Sequence, residues 1–149
     1  MKPMDSLLTL LTNSKRAGVY HSAIRSGEII AAAKASGLQV SKIDLAKARG
    51  KSGLFDALAK ALKFPAHFGK NWDALNDCLT DLAWLDGKGW VLILANGRPF
   101  AAKFPADFSM ALDIFNGVAA WWKEDGKPFW VIVEDQADWT ADLPEIRLS

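Results

Sequence analysis

The stretch Trp90-Val91-Leu92-Ile93-Leu94-Ala95 is an uninterrupted apolar run of strand length, and the turn residues Asn96-Gly97 end it. A strand that is apolar on both sides is typically covered on both faces, as in parallel sheets. A second run of this kind, Phe129-Trp130-Val131-Ile132-Val133, follows the helix breakers Gly126 and Pro128. The two runs predict the inner strands of a parallel α/β sheet.

Outward from this strand, helical and extended patterns alternate along the chain. Leu38 to Leu45 alternates apolar and polar residues, which is the period of a half-buried strand. The patterns predict strands near 38–44, 90–95 and 129–133, and helices near 53–63, 71–84 and 107–122. Such alternation predicts an α/β fold with a small three-stranded parallel sheet packed with helices.

Residues 1–37 have a different composition and predict an N-terminal βα-like extension. Val19–Ser22 is a candidate strand, and the Ala- and Ile-rich segment 26–36 is a candidate helix that Gly37 would terminate. We expect this extension to pack on the main domain at residues 38–149, which ends in an acidic tail. The two parts are predicted to form one compact unit.

Composition excludes several classes of protein. The 149 residues are 50% hydrophobic and 23% charged, which is typical of a globular domain rather than a disordered chain. A net charge of +1 argues against a dedicated nucleic-acid binder. The single cysteine, Cys78, excludes an intrachain disulfide and a Cys-rich zinc site. All seven tryptophans lie between residues 72 and 139, which predicts that the core lies in the second half of the chain.

The sequence carries no signal for export, for a membrane or for common enzymes. No apolar run approaches the ~18–20 residues of a membrane span, and the N-terminus makes a poor signal peptide, which predicts a cytoplasmic protein without membrane contact. There is no G-x-S-x-G, H-E-x-x-H, P-loop or dinucleotide-binding glycine pattern. The usual catalytic signatures are therefore missing, and we expect no cofactor and no bound metal.

The helix beginning at Asn71 has the most informative surface. Asp73, Asp77 and Asp81 follow one another at single-turn spacing, and no Lys or Arg occurs between Lys70 and Lys88. Like charges four residues apart destabilise a helix by a few tenths of a kcal/mol per pair, and aspartate is a poor helix former. The face is either an ordinary solvated surface or one that meets cations, supplied by a partner's arginine and lysine or by a metal.

The segment around this helix carries a family resemblance. It reads Phe64-Pro65-Ala66-His67-Phe68-Gly69-Lys70-Asn71-Trp72-Asp73-Ala74-Leu75-Asn76-Asp77-Cys78-Leu79-Thr80. This stretch closely resembles the signature of the barstar family, intracellular inhibitors of the secreted bacterial ribonuclease barnase. A weaker resemblance spans about Leu38 to Glu134. It implies a three-stranded parallel sheet with helices and a stoichiometric protein inhibitor rather than an enzyme.

The resemblance also implies roles for individual residues. Asp77 would occupy the phosphate site of a basic secreted ribonuclease as a phosphate mimic, and Asp73 would engage a neighbouring cation. Gly69 and Asn71 would hold the loop, and His67 would take the place of an aromatic residue at the mouth of the active site. Together with the rest of the acidic helix face, the predicted partner-binding residues are His67, Gly69, Asn71, Asp73, Asn76, Asp77, Thr80 and Asp81.

Departures from the family pattern leave other functions open. A family tryptophan is Asn76 in this chain, and a family glutamate aligns with about Gly117 unless Asp113 or Glu124 replaces it. The Trp121-Trp122 pair resembles an insertion, and one of its two side chains must face outward on a helix. The alternative function is a barstar-like interaction module for another cationic protein. A third function, hydrolysis by paired Asp73 and Asp77, lacks a nucleophile or a metal shell.

Overall fold

The computed structural model describes residues 3–148, which form six α-helices, one short 3₁₀ helix and four β-strands. In chain order they are α1 (Pro3–Leu11), β1 (Val19–Ser22), α2 (Ser26–Ala35), β2 (Gln39–Asp44), α3 (Gly50–Leu62), α4 (Trp72–Asp81), the 3₁₀ helix (Ala83–Leu85), β3 (Trp90–Ala95), α5 (Gly97–Lys103), α6 (Pro105–Glu124) and β4 (Phe129–Glu134). The α/β class expected from the sequence is confirmed.

The strands form one parallel sheet in the order β1-β4-β3-β2. Val91 of β3 pairs with Val40 of β2 on one side and with Trp130 of β4 on the other. The predicted parallel arrangement of these three strands is therefore confirmed. The candidate strand of the extension, Val19–Ser22, is confirmed as well: as β1 it adds a fourth strand to these three and pairs with the edge of β4 through the register Val19 to Val131.

The path of the chain explains why helices cover both faces. After β1 the chain crosses the whole sheet to β2 at the opposite edge, and β3 and β4 then fill the positions back toward β1. Crossovers between parallel strands are right-handed, so crossovers that run in opposite directions place their helices on opposite faces. Accordingly, α2 packs with α1 on one face, while α3, α4 and α6 pack on the other.

Alternate residues of β3 belong to two separate cores. Val91 and Ile93 lie in the core with α1 and α2, whereas Trp90, Leu92 and Leu94 lie in the core with α3, α4 and α6. All six residues of β3 are buried, as the apolar run predicts. The prediction that the core lies in the second half of the chain is incomplete, because the first of these cores is built largely from residues before Gln39. The buried residues it takes from there are Leu7, Leu10, Leu11, Ala17, Ile29, Ala32, Ala33 and Leu38.

Several element boundaries differ from the sequence prediction. Helix α3 begins at Gly50 and α6 at Pro105, each ahead of its predicted start. Helix α4 ends at Asp81, because Leu82 adopts a left-handed backbone with φ of 51°. Residues after Asn96, expected as a turn only, form the short helix α5, in which Phe100 is buried. The boundary proposed at residue 37 between extension and main domain remains a prediction.

No helix within residues 3–148 is both long enough and apolar enough to span a bilayer.

The contribution of α2 to the fold can be tested at Ile29, which is fully buried. We expect Ile29→Ala to lower the free energy of unfolding by about 2–5 kcal/mol, because it leaves a cavity between α2 and the sheet. Urea denaturation would measure the change, with the exposed Lys34→Ala as a control. If removal of residues 1–37 left the unfolding free energy unchanged, the structural role assigned to the extension would be wrong.

Candidate functional site

The loop between α3 and α4, residues 63–71, is joined to the first turn of α4 by Asn71. Its backbone is extended, with φ of −140° and ψ of 171°, and its side-chain Oδ1 accepts a hydrogen bond of 2.7 Å from the N–H of Ala74. Its Nδ2 donates to the carbonyl of Gly69 at 3.4 Å. Asn71 is therefore the N-cap of the helix that the sequence predicts to begin there, and the same side chain holds the loop against the helix.

The loop is also attached to α3. Lys70 has a left-handed backbone with φ of 51°, and its Nζ lies 2.8 Å from Oδ1 of Asp56 in α3. This ion pair is exposed, so it contributes little to stability. It directs the Lys70 ammonium toward α3, away from the carboxylates of α4.

Aromatic rings form a rigid support beneath the loop and α4. The buried ring of Phe55 packs edge-on against Trp72, with 4.8 Å between ring centroids, and against Phe68 at 6.0 Å. Phe64 lies between Phe68 and Trp84. Edge-to-face pairs of this kind contribute about 0.5–1.5 kcal/mol beyond burial. The loop and the helix are therefore positioned by packing as well as by the cap.

The outward side of α4 presents exposed carboxylates on three successive turns. We define the acidic face as Asp73, Asn76, Asp77, Thr80 and Asp81. All of these residues are exposed except Thr80, which is half-buried and whose Oγ1 donates to the carbonyls of Asn76 and Asp77 at 2.8 and 3.3 Å. Within the described residues, no salt bridge involves any of the three aspartates. The acidic face thus carries uncompensated negative charge.

A groove of about 420 Å³ separates the loop from α4. His67 and Gly69 line it from the loop side, and Asp77 and Asp81 line it from the helix side. Its remaining lining residues are Pro65, Phe68, Ala74, Cys78 and Trp84. The groove therefore brings together four of the predicted partner-binding residues. The other four, which lie outside it, are Asn71, Asp73, Asn76 and Thr80.

The aromatic walls of the groove were not anticipated from the sequence. Trp84 lies in the 3₁₀ helix, and its Nε1–H donates to the carbonyl of Leu62 at 2.9 Å. That bond ties the end of α3 to this wall of the groove. The closeness of Trp84 to the end of α4 in the sequence could have suggested that it lines the groove, but only a tertiary contact fixes which way the indole points.

Cys78 reports the electrostatic field around α4. Burial raises the pKa of its thiol, and the negative charges of Asp77 and Asp81 raise that pKa further. The thiol is therefore held in its protonated, unreactive form at neutral pH.

Among residues 3–148, no three His, Cys, Asp or Glu side chains are grouped so as to hold a metal ion.

Comparison with known proteins places this geometry in a family. The model of the barstar family, described as barstar (barnase inhibitor), matches residues 38–134. The chain belongs to the barstar family. The matched region begins one residue before β2 and ends with β4, so it includes the loop, α4 and the groove. Barstar-family proteins are inhibitors rather than enzymes. No curated protein matches the chain.

Asn71→Ala tests how strongly the barstar-like loop depends on its cap. We expect the substitution to lower the free energy of unfolding by about 1 kcal/mol, because the N–H of Ala74 loses its acceptor. Asn76→Ala is the matched control on the same helix and should be neutral or slightly stabilising. Equal urea midpoints for the two variants would contradict the role assigned to the cap.

Alkylation of Cys78 tests the field of the acidic face. Because the thiolate is the reactive species and the pKa of Cys78 is raised, alkylation by iodoacetamide should need a higher pH than alkylation of glutathione. Asp77→Asn should move the pH profile to lower pH, since it removes one of the two charges. Mass spectrometry can follow the reaction because Cys78 is the only cysteine. A profile coinciding with that of glutathione would contradict this account.

Proposed function

We propose that this barstar-family protein is a stoichiometric inhibitor of a basic, barnase-type ribonuclease. The observation that carries the proposal is the acidic face, where three exposed carboxylates that form no salt bridge with any described residue stand on a helix supported by aromatic packing. A ribonuclease binds the phosphodiester of its substrate through cationic side chains. A helix that presents carboxylates at a fixed spacing can occupy the same cations and block access of RNA.

In this proposal each predicted residue has one role. Asp77 lies at the centre of the acidic face and takes the phosphate position, while Asp73, one turn earlier, pairs with a neighbouring cation. His67 lies across the groove from Asp77 and packs at the mouth of the active site. Asn71 and Gly69 hold the loop, as their hydrogen bond in the free protein supports. Asn76, Thr80 and Asp81 form the periphery of the contact.

Binding would relieve electrostatic repulsion in both partners. In the free protein the aspartates repel one another, and in the free ribonuclease the cations of the active site repel one another. Pairing them removes both repulsions and places the charges in a water-excluded contact, where they interact more strongly. Because the chain as a whole carries a net charge of only +1, electrostatic steering would come from the local patch.

The arrangement of the carboxylates supports inhibition over hydrolysis. Asp73 and Asp77 are both exposed to water on α4, and of the two only Asp77 also lines the groove, so the structure does not enclose them together around a substrate. Of the two histidines, His21 is engaged elsewhere, with its Nδ1 2.7 Å from Oδ1 of Asp135 near the β1 edge of the sheet. We further propose a cytoplasmic location, where an inhibitor would neutralise the ribonuclease before its secretion.

The second candidate is a module that binds another cationic protein. Two departures from the family pattern favour it: Asn76 stands where a tryptophan is expected, and Gly117 stands where a glutamate is expected. Both positions are exposed in this protein, and no atom of another part of the described chain lies within 4 Å of a Cβ placed at Gly117. A partner with a changed surface, or one that is not a nuclease, would fit these changes.

Titration against barnase separates the two candidates. The purified protein is added to barnase while the cleavage of RNA is measured, with pancreatic ribonuclease as a basic enzyme of different fold. Inhibition of barnase that is complete at one equivalent supports the first function. Equal inhibition of both enzymes would indicate charge attraction alone, and no inhibition of barnase would favour the second function.

The Asp77→Ala variant tests the proposed phosphate mimic. We expect it to bind barnase far more weakly than the unmodified protein and to be as stable or slightly more stable, because alanine is the better helix former and repulsion is relieved. Removing one member of a desolvated charge pair costs about 2–5 kcal/mol, a range established in part on the barnase–barstar pair itself and used as a reference. Melting curves and binding titrations would measure both effects.

Controls for Asp77→Ala come from other aspartates. The exposed Asp138, in the C-terminal segment, should be replaceable by alanine without effect on binding. Asp73→Ala should weaken binding, and Asp81→Ala should act less and mainly on the association rate. Added salt should slow association of the unmodified protein. A less stable Asp77→Ala variant with full binding would make Asp77 structural.

A further inference from the structure

The outward side of α6 carries an apolar stripe formed by Met110, Gly117 and Trp121. Within residues 5–148, Met110 and Trp121 are the large hydrophobic side chains that remain exposed, at 44% and 59% of their surface. Their spacing of eleven residues is three helical turns, so both lie on one side of α6, and Gly117 lies between them. The stripe therefore extends along most of the helix.

The packing of the core does not require a tryptophan at position 121 or a glycine at position 117. Trp122, the neighbour of Trp121, already supplies the indole that packs in the core, where its ring centroid lies 4.4 Å from that of Trp90. Gly117 occupies the interior of a 20-residue helix, where glycine is less favourable than alanine, and a Cβ there would meet nothing within 4 Å. Gly117 therefore weakens the free helix, and the indole of Trp121 lies outside both core clusters.

Helix α6 is joined to α4 by a hydrogen bond from the residue next to Trp121. The Nε1–H of the adjacent Trp122 donates to the carbonyl of Leu79 at 2.8 Å, and Leu79 directly precedes Thr80 of the acidic face. The opposite flank of α6 is covered by the C-terminal segment, since Phe108 and Leu112 line a crevice together with Trp139. By helical periodicity, Trp121 belongs to the flank that faces α4.

Charge indicates what kind of partner the stripe would meet. From Phe104 to Trp122 the chain has no Lys or Arg, and Asp113 and the nearby Glu124 share the outward side of α6 with the stripe. The acidic face of α4 continues this negative surface. A second copy of the chain would bring carboxylates against carboxylates, whereas a cationic protein would be attracted.

We propose that Trp121 is the apolar anchor of the partner-binding surface, and that it seats an arginine side chain from the same cationic protein that α4 binds. The guanidinium stacks on the exposed indole and its aliphatic stem lies along the stripe. Gly117 leaves room for the main chain of the partner to approach α6. This inference rests on the proposed function and adds an aromatic contact where the family pattern has an acidic one.

The experiment uses full-length protein with barnase as the probe, and compares Kd and melting temperature for four variants. Trp121→Ala should raise Kd about tenfold or more, as exposed tryptophans at the centre of interfaces commonly do, without lowering the melting temperature. Gly117→Ala should raise both Kd and the melting temperature. Asn116→Ala, which is exposed on the same helix but off the stripe, is the matched control and should match the unmodified protein. Asp77→Ala reports on the proposed function separately.

The outcomes distinguish failure of the anchor from failure of the function. If the unmodified protein inhibits barnase, Asp77→Ala abolishes inhibition and Trp121→Ala binds normally, the anchor is wrong and the function stands. If the unmodified protein does not bind barnase, the proposed function fails and the anchor fails with it. If the free protein sediments as a dimer and Trp121→Ala as a monomer, the stripe joins two copies of the chain and the proposal is overturned.

Discussion

Four indole N–H groups hold the helices of this protein to one another and to the sheet. Each donates to a carbonyl in the last turn of a helix, at 2.8 to 2.9 Å; the pairs are Trp84 with Leu62, Trp90 with Leu85, Trp122 with Leu79 and Trp130 with Leu11. The last carbonyls of a helix have no partner within the helix, and leaving one buried and unpaired costs about 1–3 kcal/mol. The tryptophans therefore contribute both packing area and obligatory hydrogen bonds. Their bonds fix where α1, α3 and α4 end relative to the strands.

The fold could be predicted from the sequence where local pattern and tertiary environment agree. The apolar runs of β3 and β4 predict buried inner strands, because a strand with apolar side chains on both faces must be covered on both faces. Leu82 shows the opposite case: its left-handed backbone ends α4, yet leucine has no intrinsic preference for that conformation. The Trp122 bond to Leu79 and the burial of Leu82 set that end, and neither is visible in local sequence.

Some features of the candidate site could likewise be predicted from local sequence, and others depend on tertiary contacts. Asn71 could be assigned as a cap because capping needs only a side-chain oxygen and an N–H three residues later. The aspartate spacing likewise follows from helical periodicity alone. The groove and its aromatic walls depend on the contacts of Phe68 and Trp84 with residues from α3, at sequence separations that pattern analysis does not reach. The position of Trp121 beside α4 depends on the hydrogen bond of its neighbour to Leu79.

That hydrogen bond also couples the two proposed halves of the binding surface. Leu79 is buried beneath the acidic face, and Trp122 is buried beneath the stripe, so their contact sets the relative position of Asp77 and Trp121. A surface that must match fixed cations on a partner gains affinity when its own groups are already ordered, because little conformational entropy is lost on binding. Repelling aspartates and an exposed glycine both lower the stability of the free chain, and a rigid core of interlocked tryptophans offsets that loss. The aromatic packing and indole hydrogen bonds of the core thus stabilise the fold, and this stability allows the outer faces of α4 and α6 to carry residues that lower it but can bind a partner.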